Sequence, residues 1–246
     1  MTTASVGVDR KVRAGEGAQA WLNASIASGQ DDSRPPLYRT LSVEFFRRGI
    51  QFVGCDGTVL FRTWAPYSDI GDLPAPHPEY DETPEDSVVV SDVDKFALGF
   101  MKTLLSALDD VPWELSISVE EREDEKEPAL GNALRGHVLV LHALGQRLTC
   151  KLYDGPFPDW RRLQFGLDKA ELVDGLTVSP RIFSAAGKLK GVVGVDCSFH
   201  GDGKAIEIRT TEPSASVRGL LMPMRRTRSE AERRGSEQTE HGDGEE

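Results

Sequence analysis

Val88-Val89-Val90-Ser91-Asp92-Val93-Asp94-Lys95-Phe96-Ala97-Leu98-Gly99-Phe100-Met101-Lys102-Thr103-Leu104-Leu105-Ser106-Ala107-Leu108 carries more structural information than any other run of this chain. Val88–Val90 is short and β-branched and reads as a strand. Ser91 then opens a helix, with Asp94 three residues on as a capping box. Val93, Phe96, Ala97, Phe100, Met101, Leu104, Leu105 and Leu108 follow the 3.6-residue period of an amphipathic helix, and Lys95 and Lys102 fall on its outer face. Downstream, Trp113, Leu115, Ile117 and Val119 alternate with Glu114, Ser116, Ser118 and Glu120, the period of a strand with one buried face. Val138–His142 and Leu148–Tyr153 predict two further strands, with Gly145-Gln146 as their turn.

The same order recurs on both sides. Upstream, residues 16–28 predict a short Ala-rich helix with Trp21, Leu22 and Ile26 on its apolar side. Residues 37–48 then alternate, Leu41, Val43 and Phe45 pointing one way and Ser42 and Glu44 the other. Ile50–Val53 and Val59–Trp64 follow, joined by Gly54-Cys55-Asp56-Gly57, where Asp-Gly between apolar runs is a strong hairpin signal. Downstream, a third round begins near Glu171–Thr177. Ser179-Pro180 is a good N-cap and N1 pair for a helix running to Lys190. Val193–Phe199, Ile206–Ile208 and Val217–Met224 are its strands, with Gly201-Asp202-Gly203 as a turn. A strand, one helix and about three strands thus occur three times, near residues 4–65, 87–155 and 171–225. The rounds share an order, not a sequence. This predicts an α+β fold, with helices packed on one face of antiparallel sheets.

The chain has 246 residues, 39% hydrophobic and 28% charged, enough to build a core. No run approaches the roughly 18 apolar residues of a membrane span, and the N-terminus lacks a secretory h-region, so a cytoplasmic protein is expected. Cys55, Cys150 and Cys197 are far apart, show no zinc spacing and each fall in a strand-like run; they read as reduced thiols. The net charge is −11. Residues 69–86, 120–127 and 226–246 carry −7, −4 and −3, leaving the remainder at +3. Acidity therefore collects in expected loops and a tail, and the folded body is mildly basic, which is what a non-specific contact to DNA requires. Residues 227–246 have no apolar residue larger than Ala and predict a disordered charged tail.

Chemistry is poorly represented. His142, His200, Asp56, Asp159 and Asp196 are the available acid–base groups, and none sits in a nucleophile, phosphate-loop or metal motif. His77, Glu79, Asp81 and Glu82 fit no metal-loop spacing and lie in a Pro-rich acidic stretch, residues 66–86, that reads as an exposed loop. No enzyme, cofactor or metal site is expected.

Two short segments point elsewhere. Lys151-Leu152-Tyr153-Asp154-Gly155-Pro156-Phe157-Pro158-Asp159-Trp160-Arg161-Arg162 and Leu220-Leu221-Met222-Pro223-Met224-Arg225 resemble the segments lining the partner pocket of the bacterial sliding clamp, the beta subunit of DNA polymerase III. Residues 33–57 resemble that family's middle domain, and Val88–Leu105 the strand and helix that follow. The hairpin keeps Asp56, Gly57 and Leu60 of the family's Thr-Asp-Gly-His-Arg-Leu turn but has Cys55, Thr58 and Val59 elsewhere. The resemblance covers about residues 15–225 and amounts to about one and a half domains, against three in the usual bacterial subunit. It implies a clamp domain at 1–165 and a half domain at 166–226, followed by the tail.

The resemblance further implies sheets outside and helices inside a ring around double-stranded DNA, bound without regard to sequence, with a DNA polymerase and clamp loader as partners. Three units per chain would complete such a homo-oligomeric ring as a tetramer. The implied peptide pocket comprises Gly57, Thr58, Val59, Leu60, Pro158, Arg162, Leu163, Leu221, Met222, Pro223, Met224 and Arg225. The implied DNA surface comprises Lys11, Arg13, Lys95, Lys102, Arg181, Lys188 and Lys190. The alternative is a clamp-like protein that binds replication partners without encircling DNA.

Overall fold

Two rounds of the expected order are present in full. The computed structural model describes residues 8–28, 35–70, 77–79, 82–91, 95–106, 113–121, 136–164, 178–200, 204–211 and 217–223. Strand β1 (Asp9–Arg13) leads into helix α1 (Ala14–Ile26), then β2 (Leu41–Phe46), β3 (Gly49–Cys55) and β4 (Val59–Pro66). Strand β5 (Asp86–Val90) leads into α2 (Lys95–Ser106), then β6 (Glu114–Glu121), β7 (His137–Ala143) and β8 (Gln146–Lys151). The third round shows α3 (Pro180–Ala186), β9 (Val195–Ser198), β10 (Ile206–Thr210) and β11 (Val217–Leu221). The expected leading strand near residues 171–177, the cap at Asp94, the turn at residues 201–203 and the tail lie outside the described residues.

Among the described residues every strand pair is antiparallel, in two sheets ordered β1-β6-β7-β8 and β5-β2-β3-β4-β11-β10-β9. The first two rounds exchange their leading strands, β1 pairing with β6 and β5 with β2. Between these sheets and α1 and α2 lies one large core, including Trp21, Leu41, Phe45, Phe52, Met101, Leu104, Leu115, Ile117 and Leu139. The seven-stranded sheet runs across the expected boundary at residue 165, because β11 pairs with β4. A second core lies beneath α3, where Val59, Phe61, Ala185, Leu189, Ile206, Ile208, Val217 and Leu221 meet.

Helix α1 departs from expectation. It does not present one apolar side; Ala14, Gly17, Ala18 and Ala20 through Ser25 are all buried. Its small residues let it press on the strands beneath. A Cβ on Gly54 of β3 would lie 2.0 Å from the Ala24 carbonyl oxygen, and one on Gly17 would lie 2.5 Å from Val12 Cγ2. Thr63 of β4 donates its hydroxyl to the Ala20 carbonyl at 2.7 Å, and Trp21 packs edge-on against Phe52.

Three boundaries also move. The β7–β8 turn is Leu144-Gly145, one residue earlier than expected, and both take positive φ (53° and 71°) as a type I′ hairpin demands. Helix α3 stops at Ala186 with Gly187 as its C-cap, so Lys188 and Lys190 lie in the turns beyond it. Strand β9 is shorter than the alternating run, and Val193 stands outside it, exposed.

Candidate functional site: an apolar cluster at the β4–β11 seam

The hairpin between β3 and β4 is built by Asp56. Its Oδ1 accepts from the Thr58 amide (2.8 Å), the Thr58 hydroxyl (2.7 Å) and the Val59 amide (2.8 Å). Gly57 takes φ +85°, and a Cβ there would stand 3.2 Å from the Tyr38 ring. An Asx turn followed by a left-handed residue is why Asp-Gly was a sound hairpin signal. The altered neighbours Cys55, Thr58 and Val59 leave that turn intact.

Strand β11 docks on this hairpin. Leu220 pairs with Leu60 and Leu221 with Val59, and the Met222 amide donates to the Thr58 carbonyl at 2.9 Å. Alternation then sorts the side chains. Leu60 and Leu220 face outward, into a cluster with Val53, Cys55, Trp160 and Ala205, against which Phe157 and Met222 are partly buried. Val59 and Leu221 face the other way, into the core beneath α3. Among the expected pocket residues, these two therefore offer backbone, not side chains, to the outer face. Pro158 and Pro223 are half-buried, and Gly57 is exposed. Arg162 is exposed and pairs with Asp159 at 2.7 Å. The side chain of Leu163, and Met224 and Arg225, lie outside the described residues.

A polar network fastens the 157–164 segment to the sheet. Glu44, expected to face solvent, is 3% exposed. Its carboxylate accepts from Gln51 (2.8 Å), from Trp160 Nε1 (3.2 Å) and from both terminal nitrogens of Arg161 (3.2 and 2.8 Å). Arg62 is fully buried and donates to Gln51 Oε1 and the Pro78 carbonyl. The guanidinium carbons of Arg62 and Arg161 lie over the Trp160 ring, 4.5 and 4.2 Å from its centroid. Such cation–π contacts strengthen when water is excluded. Strands β2, β3 and β4 are consequently buried on both faces. The available signal was an Arg inside the apolar run Val59–Trp64 and a Glu inside Leu41–Phe46: long charged side chains in strands flanked by large apolar residues.

His77 lies beside this network, its ring centroid 6.1 Å from that of Trp64. Burial, then the charges of Arg62 and Arg218, lower its pKa to about 3. It is a neutral packing group, and the expected exposed loop is thus tucked in at Pro78 and His77, both buried. His200 is also buried, with Nε2 3.7 Å from Glu207.

The expected DNA residues divide. Lys11 pairs with Glu114 at 3.0 Å, which raises the lysine's pKa and, together with Ser68, lowers the carboxylate's. Arg13 pairs with Glu16 at 3.6 Å. Lys102, Arg181, Lys188 and Lys190 are exposed, and no ion pair joins them to an acid among the described residues. Lys190 is placed by its backbone: its amide donates to Asn23 Oδ1 (2.6 Å), and its carbonyl accepts from Asn23 Nδ2 and Gln19 Nε2 (3.1 Å each). Nothing is described for the Lys95 side chain.

The beta subunit of DNA polymerase III from Pseudomonas aeruginosa superposes with a TM-score of 0.57 at 12% identity, over 91% of this chain and 68% of that one. The DNA polymerase sliding clamp of Bacillus subtilis gives 0.54 at 14% identity, over 90% and 66%. A further Pseudomonas aeruginosa sliding-clamp structure gives 0.58 at 16% identity, over 91% and 68%. The chain has the sliding-clamp fold. No family model and no curated protein matches the sequence. The sliding-clamp fold fits the α+β architecture of antiparallel sheets with few helices. The chain spans about two thirds of the length of these clamps. No described helix is long and apolar enough to cross a membrane.

Proposed function

We propose that this protein is a DNA sliding clamp. Copies assemble into a ring around duplex DNA and tether replication proteins, a DNA polymerase and a clamp loader among them, through a peptide pocket. The observation that carries this reading is the β4–β11 seam. It brings residues 57–60, 157–162 and 220–223 around one apolar cluster, in a chain with the clamp fold. A rim of partly buried Phe157, Pro158, Met222 and Pro223 suits an aliphatic or aromatic anchor of a linear peptide, and a Met side chain adapts to several partners. Tethering requires no bond-making, so the protein acts as a processivity factor and not as an enzyme.

Lys102, Arg181, Lys188 and Lys190 supply the phosphate contacts, which hold DNA without reading sequence and so permit sliding. A clamp-like binder that never encircles DNA is the second reading. It is favoured by the covered helix α1 and by the acid partners of Lys11 and Arg13. Retention on nicked circular DNA in high salt, with release once the circle is cut, tests the first against the second. The ring requires both behaviours, and Lys188→Glu with Lys190→Glu shortens the residence. Equal release from circle and linear DNA contradicts encirclement.

A further inference from the structure

Helix α1 carries no lysine or arginine, and its one charged residue, Glu16, pairs with Arg13. Helices α2 and α3 do carry bases, Lys95 and Lys102 on the one and Arg181 on the other. A surface that holds phosphates along a duplex would therefore have a gap at α1. The third round reaches that gap. Beyond α3, the amides of Lys188 and Leu189 donate to the Ala185 and Ala186 carbonyls at 3.1 and 3.3 Å. The next amide, that of Lys190, donates instead to Asn23 Oδ1 on α1 at 2.6 Å. The Lys190 carbonyl accepts from Asn23 Nδ2 and, one turn away on α1, from Gln19 Nε2, each at 3.1 Å.

Asn23 is 1% exposed, and both ends of its amide are engaged by this one peptide unit. A buried amide left without partners is costly, so Asn23 and the turn hold each other in place. Leu189 points inward, into the core that also contains Ala27 just past α1, while Lys188 and Lys190 are exposed on either side of it. Gly191 closes the turn at φ +66°, and a Cβ there would stand 2.5 Å from Gln19 Nε2.

We infer that Asn23 is a positioning residue for DNA: it fixes the Lys190 backbone on α1, so that the third round supplies the phosphate contact α1 itself lacks. Asn23 is buried and touches no phosphate; it acts through Lys190. A fixed backbone beneath a flexible four-carbon stem suits a contact that follows phosphates as the duplex slides past. Asn23 has this role only if Lys190 meets phosphate, as proposed for the DNA surface.

The test is the salt dependence of binding to a short fluorescein-labelled duplex of mixed sequence, read by anisotropy with the full chain. Lys190→Gln should lower the slope of log affinity against log salt by about 0.9, the loss of one phosphate contact. Asn23→Ala should lower it equally, and the double variant no further than Lys190→Gln alone. Hydrogen exchange at the Lys190 amide should accelerate in Asn23→Ala while circular dichroism stays unchanged. Gly191→Ala, which leaves α1 unaltered but strains the turn and crowds Gln19, should reproduce the slope of Asn23→Ala, and it decides alone should Asn23→Ala unfold. A lowered slope in Lys190→Gln with the full slope kept in the folded Asn23→Ala or Gly191→Ala overturns the positioning role and leaves the DNA surface standing. Additive losses in the double variant also overturn it, because Asn23 would then act elsewhere. A slope untouched by Lys190→Gln refutes the phosphate contact at Lys190 and the role of Asn23 with it.

Discussion

Leu60 and Leu220 face each other across the β4–β11 ladder, both 2% exposed, and this pair welds the first round to the third. Neither side chain can be shortened without opening a void beneath Trp160. Leu60→Ala or Leu220→Ala should each cost about 2–5 kcal/mol of unfolding free energy. Their double mutant should depart from the sum, because they touch the same cavity. Urea titration of the four proteins measures both effects. Costs near zero would mean that the seam is not packed as described.

Glu44 is the hub that holds the 157–164 segment. Glu44→Ala leaves Gln51 and the Trp160 indole N–H without their buried acceptor and Arg161 without its carboxylate. Breaking a largely buried, hydrogen-bonded pair costs about 3 kcal/mol. Hydrogen exchange should then accelerate across residues 157–164 before the sheet itself opens. Unchanged exchange there would show that the segment is held by packing alone.

His77 should make the protein acid-sensitive. An unfolded imidazole titrates near 6.5, whereas the folded one does so at about 3. Between these values the unfolded chain binds a proton that the folded protein refuses. Stability is therefore complete above about pH 6.5 and falls as pH drops toward 3, at up to about 1.4 kcal/mol per unit. His77→Phe should remove about 2 kcal/mol of the loss between pH 6.5 and 5. Parallel urea midpoints for the two proteins across that range would contradict a buried neutral histidine.

Met222 is the partly buried edge of the apolar cluster. Met222→Ala or Met224→Ala should weaken a clamp-recognition peptide by about tenfold, as loss of a central apolar anchor contact does, with the oligomer size unchanged. Fluorescence anisotropy of a labelled peptide reads this directly. Equal affinity in both variants would remove the pocket from this seam.

Much of this architecture was legible because its determinants are local. The Asp56-Gly57 hairpin, the period of α2 and the alternation of β6 each depend on residues close in sequence. What was not legible depends on partners far away. Glu44 alternates with apolar residues and so reads as solvent-facing, yet Trp160 and Arg161 cover it. Helix α1 reads as weakly amphipathic, yet its alanines and glycines serve close packing on several sides. The sorting of Leu60 and Leu220 from Val59 and Leu221 required the register of β4 against β11, which no local pattern specifies. The early stop of α3 follows from Gly187, a C-cap that a continuing Lys-rich stretch obscured.

The central claim is a closed ring built from rounds of strand, helix and strands. Electron microscopy of the purified assembly without DNA tests it most directly. The account predicts closed particles with a central opening wide enough for duplex DNA and four copies of the chain around it. Compact particles with no opening, or single chains at every concentration, would contradict it.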